Sequence, residues 1–141
     1  MKRFVFLGLA AAALTALATD SHDTKSVQGN WTPVKAELGG QPLPEVVLKT
    51  ISLKLGDGRY EVSVGGKSDK GTYRLDSSTT PKTMLITGTD GPNKGKSFPA
   101  IYELCGETLR ICYDLSGVKY PTEFKSLEGS RLYLVTYQRK S

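Results

Sequence analysis

The stretch from Lys96 to Tyr113, KSFPAIYELCGETLRICY, constrains the fold more than any other part of the chain. Successive side chains of a β-strand point to opposite faces, so residues two apart share a face. Ala100, Tyr102 and Leu104 fall on one face of a first arm, and Leu109, Ile111 and Tyr113 on one face of a second. Gly106 stands where a tight turn between Cys105 and Glu107 reverses the chain. A lone hairpin is marginal in water at best, so its apolar face requires further strands to cover it.

The remaining sequence supplies them. Gly29, Asn30 and Trp31 open a first strand that continues through Val34, Ala36 and Leu38; Pro42 and Pro44 stop it, and Pro44 starts a short helix through Lys49. Ile51, Leu53 and Leu55 alternate with polar residues, Gly56 to Gly58 turn the chain, and Tyr60, Val62 and Val64 alternate in return. Gly65 and Gly66 turn again into a strand from Gly71 to Asp76 with Tyr73 and Leu75 on one side, and Thr83 to Thr89 forms another around Met84, Leu85 and Ile86. After the central hairpin come a loop at Ser116 to Tyr120, a short extended piece at Pro121 to Lys125, a turn at Glu128 to Ser130 and a last strand, Arg131 to Arg139. About eight strands joined by short connections predict antiparallel neighbours, and eight is a number at which a sheet closes and loses its edges. The fold expected is an all-β, eight-stranded, antiparallel up-and-down barrel with one short helix after the first strand. A two-sheet sandwich of the same strands is the alternative, since alternation does not distinguish closure from stacking.

The N-terminus reads as an address. Lys2 and Arg3 precede an apolar run from Phe4 to Leu17, and Ala16 and Ala18 form an A-x-A site, the pattern of a secretory signal peptide over residues 1–18, cleaved after Ala18. The run is shorter than the roughly 20 residues of a bilayer-spanning helix, so no stable membrane anchor is expected. Residues 19–26, TDSHDTKS, lack an apolar period and read as a flexible leader before a domain at 27–141. This places the mature protein outside the cell or in the periplasm. Removing Lys2 and Arg3 lowers the formal charge of +5 by two, and the remaining basic residues are scattered, so a nucleic-acid partner is not expected.

Cys105 and Cys112 bear on the hairpin's register. With the turn at Gly106 and Glu107, Cys105 faces Thr108 and Cys112 faces Ile101. That separation is roughly 13 Å at strand rise, beyond the Cα approach of about 7 Å that a disulfide needs. Cys112 reads as a small buried apolar residue and Cys105 as a turn or rim thiol. Two separated cysteines and a single histidine make no metal site, and no cofactor is expected.

Other motifs carry little chemistry. GPNKGKS, from Gly91 to Ser97, has the wrong spacing for a phosphate-binding loop and feeds a strand where that loop needs a helix. Asn30-Trp31-Thr32 fits a glycosylation sequon but lies within a strand, with Pro33 following. The one histidine, His22, falls in the polar leader, and a mobile leader does not hold a base within about 3 Å of a nucleophile. Glu61, Asp76, Glu103 and Glu123 are the carboxylates from which an acid/base pair would come, but Glu103 faces Arg110 across the hairpin. The chain is not expected to be an enzyme.

Gly29-Asn30-Trp31 at the head of the first strand, followed by a short helix and about seven strands, resembles the G-x-W signature of the lipocalin superfamily. More extensively, QGNWTPVKAELGGQPLP, GTYRLD with PKTMLIT, GPNKGKSFPAIYELCGETLRICY and PTEF resemble an uncharacterised secreted lipocalin-like domain family abundant in planctomycetes, over Val27 to Lys140. Cys105 departs from that family's acidic turn residue. The resemblance implies a calycin-type barrel in which Gly29 and Trp31 close one end and a basic residue of the last strand, Arg139, packs on the tryptophan. It implies no chemistry, because the family's activity is not established.

Two functional classes follow. A barrel of this size encloses one small apolar ligand if its interior is open, with Val62, Tyr73, Leu75, Ile86, Tyr102, Leu104, Leu109 and Ile111 as its lining. The bulky tyrosines and leucines at those positions also suit a filled interior. In that case a monomeric barrel would act as an interaction or inhibitor module, meeting a secreted protein partner through Gly39 to Leu43, Gly88 to Lys96 and Asp114 to Tyr120.

Overall fold

A computed structural model describes residues 22–140. The signal peptide expected over residues 1–18, with cleavage after Ala18, lies outside the described residues. Nine strands make one antiparallel sheet: β1 (Gly29–Leu38), β2 (Gln41–Pro42), β3 (Ile51–Gly56), β4 (Arg59–Val64), β5 (Lys67–Asp76), β6 (Lys82–Asp90), β7 (Ser97–Cys105), β8 (Thr108–Asp114) and β9 (Leu132–Arg139). From β3 to β9 each strand pairs with the next, and β1 pairs with both β3 and β9, the latter from Trp31 opposite Arg139 to Leu38 opposite Tyr133. That last pairing closes an eight-stranded barrel, with the two-residue β2 appended to β1, and so excludes the sandwich. Two helices accompany it: α1 at residues 22–26 and α2 (Glu45–Leu48), the short helix expected after the first strand, with Pro44 as its N-cap.

The central hairpin forms in the expected register. Ala100 faces Tyr113, Tyr102 faces Ile111 and Leu104 faces Leu109, all toward the interior, while Cys105 faces Thr108 and Ile101 faces Cys112. Both cysteines are free; Cys105 is exposed and Cys112 buried. The turn between β3 and β4 uses Asp57 and Gly58 at positive φ (50° and 78°), the conformation that matches the right-handed twist of the strands it joins. β1 departs from simple alternation. A bulge between Pro33 and Lys35 leaves Val34 without a partner on β9 and 53% exposed, so the buried positions run Trp31, Pro33, then Ala36.

Two expectations are corrected. Residues 19–26 are not an unstructured leader over their described part: α1 folds under the barrel, with Asp23 buried and Val27 fully so. No local period marks this segment, because what orders it is distant in sequence. The Asp23 carboxylate accepts from Lys82 Nζ at 2.9 Å and from the Tyr102 hydroxyl at 2.6 Å. The strand expected to start at Gly71 begins at Lys67, which brings Asp69 to an inward position. The segment between β8 and β9 covers the barrel's outer face, where Phe124 lies 4.2 Å under the Arg110 guanidinium and Cys112 Sγ donates to the Lys125 carbonyl at 3.5 Å.

Candidate functional site

The barrel has one sealed and one open end. At the sealed end Trp31 is fully buried and its Nε1–H donates to the Val27 carbonyl at 2.9 Å. The Arg139 guanidinium lies over the Trp31 ring at 4.4 Å. It also donates to the carbonyls of Gln28 and Ser26, tying α1 and its exit to the last strand. Gly29 has φ +141°, and a Cβ there would stand 2.6 Å from Arg139 Nη1, so both its backbone conformation and the close guanidinium require glycine. Gly29, Trp31 and Arg139 are thus brought together at the sealed end. Tyr102, Leu109 and Met84 fill the space above them.

Toward the other end the side chains no longer meet, and a cavity of about 220 Å³ remains. Ile51, Leu53 and Leu55 of β3 form one wall, Ile86, Phe98 and Ile111 another, and Tyr113 and Tyr137 join their hydroxyls at 2.8 Å across a third. Tyr133 stacks on Tyr113 with ring centroids 5.5 Å apart. Val64, which lines the mouth, is 48% exposed, so the cavity opens there. Of the interior residues expected from alternation, Val62, Tyr73, Ile86 and Ile111 line this cavity. Tyr102 and Leu109 lie in the packed core instead, and Leu75 and Leu104 are half-buried against that core. Alternation identified the inward face, and position along the barrel axis separates the two groups.

The polar part of the site was not anticipated. Asp69 is 8% exposed and lines the cavity. Its Oδ2 accepts from Asn93 Nδ2 at 2.8 Å and its Oδ1 from the Asn93 backbone N–H at 3.3 Å. Tyr60 also donates its hydroxyl to this carboxylate. Burial first, then the carboxylate's charge and this hydrogen bond, push the phenol up to about 12. Gly71 makes room for the Tyr60 ring, since a Cβ there would stand 2.5 Å from it. The loop that resembled a phosphate site is what delivers Asn93: a bulge between β5 and β6 leaves Thr89 unpaired, and Gly88 lets the Asn93 carbonyl pack where a Cβ would stand 2.0 Å from it. Stepping back by two from Tyr73 through Gly71 reaches Asp69, so the inward phase was legible in principle, though the polar run KSDK masks it. No sequence signal marks Asn93.

The carboxylates considered for acid/base work stand apart from the cavity lining. Glu103 pairs with Arg110 at 3.2 Å, Glu123 with Lys125 at 3.8 Å, and Asp76 accepts from the backbone and hydroxyl of Ser78. Among the described residues no cluster of His, Cys, Asp and Glu is arranged to hold a metal ion. In comparisons with known proteins, no family model, no curated protein and no solved structure matches the chain.

Proposed function

We propose that this protein is a secreted, lipocalin-like carrier that holds one compact apolar molecule in the open half of its barrel. The observation that carries the reading is the cavity of about 220 Å³, closed at one end by Trp31 and Arg139 and opening past Val64 at the other. An apolar cavity of about 150 Å³ already stays dry and admits benzene, so this one suits a one- or two-ring molecule and is too small to enclose a long acyl chain. Preformed walls from eight strands lower the ordering cost of binding.

Native mass spectrometry of the purified protein, before and after extraction with organic solvent, tests the reading. A removable mass of one- or two-ring size that returns on incubation supports it, and Ile86→Trp, which fills the cavity, is expected to abolish the uptake. A bare chain that takes up no compact apolar compound overturns it. That outcome would favour a protein partner at the rim, where Val46 and Val118 are 72% and 79% exposed on the open-end connections.

A further inference from the structure

Among the described residues, Asp69 is the one charged side chain that lines the cavity. Its carboxylate is buried and accepts hydrogen bonds from Asn93 and Tyr60, all of them from neutral groups. Among the described residues, the salt bridges join other partners, and no lysine or arginine pairs with it. Lys67, on the same face of β5, is exposed at the rim and does not line the cavity. Hydrogen bonds stabilise a buried carboxylate, but its net charge stays uncompensated in a low-dielectric space until a cation approaches. A carboxylate has about four acceptor positions, and the donors above use three.

The remaining wall suits a cation as well. Tyr60, Tyr73, Phe98, Tyr113 and Tyr137 present aromatic side chains to the cavity, and aromatic faces attract a desolvated ammonium. An anionic ligand such as a fatty acid would set its carboxylate in the same enclosed space as Asp69, where like charges repel. We propose that the molecule held in the barrel is a compact organic cation, a protonated amine on a one- or two-ring apolar body, with Asp69 as its counter-ion. The inference rests on the carrier reading and adds the chemical class of the cargo.

Isothermal titration at neutral pH with three probes of matched size separates the two: phenethylamine, its neutral analogue 2-phenylethanol, and the anion phenylacetate. The amine is expected to bind at least about tenfold more tightly than the alcohol, the low end for a hydrogen bond to a charged group, and phenylacetate more weakly than either. Asp69→Asn is expected to lower the amine's affinity by about tenfold and so erase the difference between amine and alcohol. If Asp69→Asn fails to fold by circular dichroism, the ranking on the unaltered protein decides alone. Alcohol binding as well as amine, or a preference that survives in folded Asp69→Asn, overturns the cation assignment and leaves the carrier reading standing. Binding of none of the three overturns both.

Discussion

Arg139→Met tests whether the sealed end is held by the guanidinium or by apolar packing alone. Methionine keeps an apolar stem over Trp31 and removes only the charged fork. That fork donates to the carbonyls of Gln28 and Ser26 and lies 4.4 Å over the indole. Its ion pair with Glu107, at 3.2 Å, adds little because the glutamate is 69% exposed. Two charge-assisted hydrogen bonds at about 1 kcal/mol each, reduced by partial exposure, and about 0.5–1 kcal/mol from the aromatic contact give a loss of about 2–3 kcal/mol. Equilibrium urea unfolding reads this as a lower midpoint at unchanged slope, and hydrogen exchange should show amide protection falling first at residues 22–28. Gly29→Ala provides the second arm. Its φ of +141° alone costs about 1–3 kcal/mol, and the approach of the new Cβ to Arg139 Nη1 adds a clash that Arg139→Met relieves. The two substitutions are therefore expected to cost less together than the sum of each alone. A loss below about 0.5 kcal/mol for Arg139→Met, within the range of an ordinary surface change, would refute a closing role for the guanidinium.

Three further outcomes follow from the titratable groups. Burial pushes the Asp114 carboxyl up, but the N–H groups of Ser116, Val118 and Lys119 and the Ser116 hydroxyl all donate to it and leave it below its ordinary value. The folded state then binds fewer protons than the unfolded one, so this stabilisation is present above a pH of about 4 and is lost as pH falls through the lowered folded value. Acid titration of stability should be shallower in Asp114→Asn, and an unchanged slope would refute the assignment. At the alkaline side, burial raises Tyr60 to about 12 and also raises Tyr113 and Tyr137. The native state thus keeps protons that the unfolded chain releases from a pH of about 10, and stability should fall above it. Ultraviolet titration of the native protein should show phenolates appearing later than in urea; coincident curves would contradict the burial. Cys105 is exposed, whereas burial raises Cys112, which donates to the Lys125 carbonyl. A thiol reagent should label one cysteine quickly in the folded protein and both in urea, and rapid labelling of both would show the β8–β9 covering to be loose.

Much of the barrel is written locally. The alternation in KSFPAIYELCGETLRICY and in the Ile51 to Val64 hairpin, and the glycines at 58 and 106 in positive φ, specify strands, inward faces and turns within a few residues of each other. The pairing of Glu103 with Arg110 could be read off the hairpin's register for the same reason. Local rules fail where order comes from afar. Asp23 finds Lys82 and Tyr102, 59 and 79 positions along the chain, and Arg139 reaches the Ser26 carbonyl from the last strand, so distant partners order a polar segment without a period. Alternation from Trp31 would put Ala36 outward, and a bulge against β9 turns it in.

The candidate site divides along the same line. Period-two patterning determined that Val62, Tyr73, Ile86 and Ile111 face the interior, because side-chain direction in a strand depends only on position within that strand. Whether the interior is full or empty depends on the volume enclosed by eight strands minus the side chains from all of them, a quantity no single strand contains. The tertiary structure alone decided that Tyr102 and Leu109 pack the sealed half, and that β1 closes on β9 rather than stacking. It also set Asp69 and Asn93, 24 positions apart, together beside the remaining space, because a contact of that span is created by the pairing of β5 with β6 and by the bulge that aims the following loop inward.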